Sequence, residues 1–300
     1  MSVGSETTST NYKAQKMNQQ GDISVYGSTG FIGSRFVEMN KDRCVSIDRN
    51  EDKPKSKDVL YFISTTHNYN IFDKPTLDIE TNLTKMVNVL ESCRLTYRDD
   101  TVFNFVSSWF VYGMNCSLDT KESDPCDPRG FYSITKRAAE QMLICYCKTY
   151  GMKYRILRMT NIIGEGDKGA SLKKNALQHM MNLMKVGSSV QLYDKGTNIR
   201  DFMYVSDACR AIKTCIDSSP LDEVINISNR EPREIGEIVH YAHSKMGSRS
   251  NITNIDVPHF HKVVQVKNVC LNNDKLLSYG YKPSINTFEA VDIILDSMKG

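Results

Sequence analysis

Long hydrophobic runs are missing from this sequence. The longest, such as Val59 to Ile63 and Val102 to Val106, fall far short of the roughly 18 apolar residues that a membrane-spanning helix needs, so no membrane partner is expected. An excess of charge of one sign is also absent: Lys plus Arg number 38 against 35 Asp plus Glu, a net charge of +3. That balance leaves no electrostatic footprint for nucleic acid. There is no CxxC and no Cys/His cluster with zinc spacing, which argues against a metal site. The nine cysteines, with Cys145 and Cys147 the closest pair, are read as reduced structural thiols of a cytoplasmic protein, because a chain of this length has core enough without disulfide staples. The first twenty residues contain no apolar stretch like the core of a signal peptide and are read as a solvated polar tail. With 40% hydrophobic and 24% charged residues over 300 positions, the remainder is an ordinary globular composition, and disorder of its bulk is excluded.

From Asp22 onward, short β-branched or apolar runs alternate with segments of helical period. Strands are expected at Ile23 to Tyr26, Cys44 to Ile47, Val59 to Ser64, Thr101 to Val106, Tyr154 to Arg158 and Glu223 to Ile227. Helices are expected at Phe31 to Met39, Leu83 to Cys93 and Tyr132 to Tyr150. Such alternation implies parallel pairing with right-handed crossovers, hence a doubly wound α/β sheet. After Gly164 the texture changes. Helical patterns recur at Leu172 to Val186, Ser206 to Ile216, Ile235 to Met246 and Thr287 to Met298, while His259 to Val269 reads as extended. The stripe of Met180, Met181 and Met184 is read as core packing. Arg49 to Lys57, with Pro54, is the one loose segment outside the tail.

Directly after the first strand comes Gly27-Ser-Thr-Gly30-Phe-Ile-Gly33. Gly27 permits a tight turn, Gly30 lets backbone approach a pyrophosphate, and Gly33 lets the helix pack closely on the strand, so that the helix N-terminus faces the phosphates. Asp48 ends the second strand at the distance expected of a carboxylate that accepts hydrogen bonds from the adenosine ribose. A carboxylate repels a 2′-phosphate and favours NAD; the adjacent Arg49 leaves NADP open.

Tyr132 and Lys136 stand four apart, on one helical face. An ammonium beside a phenol favours the phenolate and lowers the tyrosine pKa toward the neutral range. The fourth strand runs into Ser107-Ser108-Trp109-Phe110-Val111-Tyr112-Gly113, which places hydroxyls at the carboxyl end of a parallel strand, where ligands bind in such sheets. Ser108 is expected to bond a substrate oxygen or to hold Tyr132. Ser, Tyr and Lys beside a dinucleotide cradle form a hydride-transfer site.

With these pieces in place the chain resembles the extended short-chain dehydrogenases/reductases that modify nucleotide sugars, the NAD-dependent epimerase/dehydratase group. GSTGFIG, SSWFVYG, YSITK, ILRMTNIIGEG and NIRDFMYVSDACRAI occur in that family's order, and the resemblance runs from about Asp22 to the C-terminus. It implies a Rossmann domain over residues 21–163 and a mainly nucleotide-sugar-binding portion over 164–300, with segments near 200–230 returning to the sheet. It makes Tyr132 the acid/base, Lys136 the residue that lowers its pKa and holds the nicotinamide ribose, and Ser108 the catalytic hydroxyl. Asn161 and Arg200 match positions that hold a sugar nucleotide's diphosphate, a task suited to a guanidinium; the alternative for Arg200 is an ion pair with Asp201. The cofactor set expected is Gly27, Thr29, Gly30, Phe31, Ile32, Gly33, Asp48, Arg49, Ser64, Tyr132 and Lys136. Ser108, Trp109, Asn161 and Arg200 are expected to meet the nucleotide-diphosphate sugar.

Two departures shape the functional reading. Where sugar 4,6-dehydratases of the group carry an Asp-Glu pair after the hydroxyl, this chain has Trp109 and Phe110, neither of which moves a proton. The segment after Asp48 is also short, so the adenine site is built differently from that of many relatives. His67 is read as structural. The leading expectation is an NAD-dependent nucleotide-sugar epimerase acting at carbon 4. The enzymatic alternative is an NAD(P)H-dependent 4-keto-sugar reductase, ahead of a 4,6-dehydratase, and the alternative from another class is a catalytically silent dinucleotide-binding protein. The helices at Leu83 to Cys93 and Tyr132 to Tyr150 resemble those of the family's dimer interface, which implies a homodimer.

Overall fold

The computed structural model describes residues 23–299; the tail expected over residues 1–20 lies outside the described residues. In chain order the principal elements are β1 (Ile23–Tyr26), α1 (Phe31–Met39), β2 (Cys44–Ile47), β3 (Asp58–Tyr61), α2 (Lys85–Tyr97), β4 (Val102–Ser108), α3 (Phe131–Tyr150) and β5 (Lys153–Met159). They continue as β6 (Asn161–Ile163), α4 (Ala176–Lys185), β7 (Val190–Tyr193), β8 (Ile199–Tyr204), α5 (Val205–Ser218), β9 (Glu223–Ile227) and β10 (Pro232–Glu234). The chain closes through α6 (Ile235–Met246), β11 (Ile252–Ile255), α7 (His259–Val264) and α8 (Thr287–Ser297).

Six strands pair in the order β2-β1-β3-β4-β5-β9, and every pairing is parallel. Because successive strand residues face opposite sides, alternate side chains enter two separate layers. Ile23, Val25, Leu60, Leu157 and Met159 pack with Phe36, Ile212 and Cys215 of α1 and α5. Tyr26, Tyr61, Phe103, Phe105 and Ile156 pack with Met86, Leu90, Ala139 and Leu143 of α2 and α3. Burial on both faces explains why the strands read as apolar runs. The chain moves from β2 back across β1 to β3, so the strand order reverses there and a crevice opens beyond the carboxyl ends of β1 and β3.

The segment between β2 and β3 adds no strand outside β2, which is therefore a sheet edge. It is tied to β1 instead: Ser24 Oγ accepts from the backbone N–H groups of Lys55 and Ser56, both at 2.9 Å, and the Tyr26 hydroxyl donates to the Asp52 carbonyl at 2.7 Å.

The C-terminal part carries a three-stranded sheet, β10-β8-β6, and the pair β11-β7. Its core contains Met180, Met181 and Met184 together with Ile238, Val239, Val291 and Ile294. Residues 259–264 form α7, where an extended segment was expected. Pro258, with φ −58°, suits the entry to a helix, and one helical turn buries His261 and Val264 together. The helix expected at Leu83 to Cys93 also differs: it runs to Tyr97 and opens with a π-helical turn, Glu80–Thr84.

Candidate active site

Gly27 ends β1 with φ +79°, a conformation that L side chains adopt only under strain. A Cβ on Gly33 would run into the carbonyl oxygen of Gly27, so the first turn of α1 can lie against β1 only because that position is glycine. Gly30 N–H donates to the Gly27 carbonyl at 3.0 Å and closes the turn. Phe31 and Ile32 pack their side chains into the neighbouring cores, which leaves their backbone N–H groups as what they offer a phosphate at the helix start. Thr29 is exposed at the rim. The cradle therefore fits a dinucleotide pyrophosphate. Asp48 and Arg49 are exposed just past β2, and Asp48 Oδ1 accepts from Asn50 N–H at 2.9 Å, which fixes the turn that carries both.

α3 brings the proton-transfer candidates to β4. Its N-terminus is set by Ser133, whose hydroxyl accepts from Gly130 N–H at 2.9 Å, and by Asn68, whose Oδ1 accepts from Ser133 N–H at 3.3 Å. A Cβ on Gly130 would occupy the space of the Asn68 side chain. The helix ends at Gly151, φ +72°. Along it, Tyr132 and Lys136 are both buried and face the end of β4. Lys136 Nζ donates to the Val106 carbonyl at 2.7 Å and lies 4.0 Å from the centre of the Phe105 ring.

The electrostatics differ from the expectation that Lys136 draws the Tyr132 pKa down. Burial raises the tyrosine pKa, hydrogen bonding with Ser108 and Ser64 works against the rise, and the Asp78 carboxylate adds to it. Burial also pushes the Lys136 ammonium down to about 7. Burial thus leaves a protonated phenol beside a lysine poised near neutrality.

Trp109, Asn161 and Arg200 come together on the other side of Ser108. The Trp109 indole donates to Asn161 Oδ1 at 3.3 Å, and the Arg200 guanidinium lies 5.4 Å from the centre of the Trp109 ring. Phe110 links the two groups: its ring stacks on Trp109 at 3.9 Å and meets Tyr132 edge-on at 5.9 Å. Arg200 does not pair with Asp201. It donates to the carbonyls of Ile199 (2.8 Å), Lys267 (2.7 Å) and Val266 (2.7 Å), and burial lowers its pKa to about 10. Asp201 is buried separately, accepting from Ser228 Oγ at 2.5 Å and Glu231 N–H at 3.1 Å, and its pKa rises to about 6 for the same reason.

Sequence reasoning missed several supports of this site. Asn82, inside the π-helical turn, accepts from Ser64 Oγ (3.1 Å) and Thr65 N–H (2.9 Å) and donates to Thr135 Oγ1 (2.9 Å), so it ties the end of β3 to α3. π-turns of this kind recur at functional sites. No spacing rule marks such an Asn. His67 accepts from Tyr69 N–H at 3.2 Å, and burial lowers its pKa.

Comparisons with known proteins agree with this architecture. A family model described as the NAD dependent epimerase/dehydratase family matches residues 59–228, more than half of the chain. A putative UDP-glucose 4-epimerase of Methanocaldococcus jannaschii is 26% identical over 309 residues, covering 92% of this chain and 98% of that protein. A dTDP-glucose 4,6-dehydratase of Mycobacterium tuberculosis is 27% identical over 184 residues, covering 60% of this chain and 53% of that one. Among solved structures, UDP-glucose 4-epimerase of Thermotoga maritima with UDP-glucose superposes with a TM-score of 0.83 at 19% identity, over 93% of this chain and 98% of that chain. UDP-glucose 4-epimerase of Thermus thermophilus in complex with NAD gives 0.81 at 21% identity, over 93% and 99%. The structural likenesses establish the fold, and the family model extends from β3 through the Tyr132 and Lys136 helix to the end of β9. This chain belongs to the NAD-dependent epimerase/dehydratase family.

Proposed function

We propose that this chain is an NAD-dependent epimerase of nucleotide-diphosphate sugars, acting at carbon 4 through a transient 4-keto sugar. The observation that carries the reading is the aromatic pair whose Phe110 ring meets the Tyr132 ring. Trp109 and Phe110 stack on each other, and Phe110 abuts Tyr132. They form an apolar wall where a dehydratase of the family needs two proton-carrying side chains. A site with one acid/base and smooth walls suits oxidation and re-reduction at a single carbon.

The Gly27–Gly33 turn and the Asp48 carboxylate would hold NAD, which would supply a hydride acceptor and donor for the sugar carbon. Tyr132 would take the proton of the sugar's 4-hydroxyl during its oxidation and give it back on re-reduction, after the 4-keto sugar has presented its other face. Ser108 bonds the reacting oxygen and opposes the burial that keeps Tyr132 protonated. Lys136, as an ammonium, would favour the phenolate and hold the nicotinamide ribose. Arg200, with its remaining N–H groups, and Asn161 receive the substrate diphosphate beside Trp109. A cation that is buried without a carboxylate partner is well prepared for an anionic ligand.

The exposed Arg49 beside Asp48 favours a second reading, a 4-keto-sugar reductase that exchanges NAD(P)H at every turnover. Incubation with a panel of nucleotide sugars, with and without NAD(P)H, separates the two. Isomer interconversion without nucleotide consumption supports the epimerase. Stoichiometric NAD(P)H oxidation supports the reductase, and no turnover by folded, NAD-loaded protein means a silent binder. The working form on this reading is a cytoplasmic homodimer formed through α2 and α3. No helix among the described residues is long and apolar enough to cross a membrane.

A further inference from the structure

Glu140 is fully buried and stands one helical turn beyond Lys136. Both carboxylate oxygens are doubly engaged. Oε1 accepts from Ser107 Oγ at 2.6 Å and Arg158 Nε at 3.0 Å; Oε2 accepts from Arg158 Nη2 and Arg137 Nη1, each at 2.8 Å. The donors come from β4, β5 and α3, the three elements that meet beneath the site. Ser107 directly precedes Ser108, and Val106 before it accepts the Lys136 ammonium. The carboxylate thus fixes α3 against the two strands, and its partners Ser107 and Arg137 directly adjoin Ser108 and Lys136.

A buried ion pair is a poor way merely to join a helix to a sheet, since well-packed apolar residues serve at least as well. What apolar packing cannot supply is negative charge one turn from a buried ammonium. We propose that Glu140 is a positioning residue, clamped between β4, β5 and α3 so as to keep Lys136 protonated and in register with Tyr132 and Ser108. The proposal rests on the reading of Tyr132 and Lys136 as the proton-transfer pair. Burial, the larger influence, lowers the Lys136 pKa, and the Glu140 carboxylate is the charge that resists that fall. The groups facing the cluster are Arg137 from α3, the Phe105 ring, the Val106 carbonyl and Ser107 from β4, and Arg158 from β5. Behind Arg158 lie the Tyr112 ring at 4.6 Å, the Glu122 carbonyl and Cys126.

The test follows the Lys136 side chain by NMR of protein carrying 13C-labelled lysine, with its resonance assigned by its loss in Lys136→Arg. In Glu140→Gln, with Arg158 and Arg137 left in place, the Lys136 midpoint falls by about one pH unit or more relative to wild type. Arg137 is partly exposed, so Arg137→Gln puts the fold at less risk; it strips one cation from the carboxylate and moves the midpoint upward. An unchanged midpoint in either folded variant overturns the proposal. This measurement needs no substrate, so failure of the epimerase reading, seen as no turnover of any sugar nucleotide by wild type, is distinguished from failure of the clamp. Where turnover is found, Ser107→Ala lowers kcat about fivefold or more with KM unchanged, from the loss of one bond to a charged group. Wild-type kcat in Ser107→Ala also overturns it.

Discussion

Tyr132→Phe removes one oxygen from a side chain that is otherwise packed against Phe110. Fold and NAD binding are expected to survive, with turnover down by about 10²-fold or more, the usual worth of a positioned acid/base. Circular dichroism, NAD titration and the isomerisation assay check this, and near-wild-type turnover contradicts the mechanism. Lys136 offers a stability test with a definite sign. Its folded pKa, about 7, lies below the ordinary lysine value, so between about pH 7 and that value the unfolded chain binds more protons than the folded one. Stability from this group rises with pH across that window, and the cost of burying its charge is fully present below it. Lys136→Met is therefore expected to melt above wild type near pH 6, with a gap that narrows toward about pH 10. Calorimetry at both pH values checks the sign. That Tyr132 and Lys136 share one face of a helix was legible from their spacing, because four residues make about one helical turn. The carboxylate of Glu140 was not, because its partners Ser107 and Arg158 lie on strands far from it in sequence.

Two elements carry the site, and each depends on a glycine at its start. In α1, Gly33→Ala drives a methyl group into the Gly27 carbonyl, and the turn must open. A loss of about 1–3 kcal/mol is expected from overpacking, together with weaker NAD binding as the N–H groups move away from the phosphates. Urea unfolding and calorimetric NAD titration measure the two effects. In α3, Asn68→Ala removes the side chain that accepts from Ser133 N–H and is expected to cost about 1 kcal/mol, as a lost helix cap does; urea unfolding again reads it. α1 was read to its exact bounds, Phe31–Met39, because glycine punctuation and helical period agreed. α7 was not, since its β-branched residues favour a strand locally while burial of His261 and Val264 rewards a helix.

At the scale of the molecule, α2 and α3 lie side by side on one layer and expose Ile134, Met142, Tyr150 and Leu95, the last at 67%. On the homodimer reading, sedimentation gives twice the chain mass, and Met142→Glu shifts the equilibrium toward monomer because a carboxylate would be buried without a partner. A monomeric wild type at micromolar concentration counts against that interface. The composition alone excluded membrane spans and a strongly basic surface, and hydrophobic period and glycine spacing determined the parallel sheet, its cradle and the Tyr132 and Lys136 face, since all of these depend on neighbours within a few residues. Only the tertiary structure decided that Arg200 is held by the carbonyls of residues 199, 266 and 267 and not by Asp201, that burial outweighs the Ser108 and Ser64 hydrogen bonds at the Tyr132 phenol, that Asn82 ties the end of β3 to α3, and that Glu140 is bonded to Ser107 and Arg158. Hydrogen bonds and desolvation join residues that the chain keeps far apart, and no local pattern records which of them will meet.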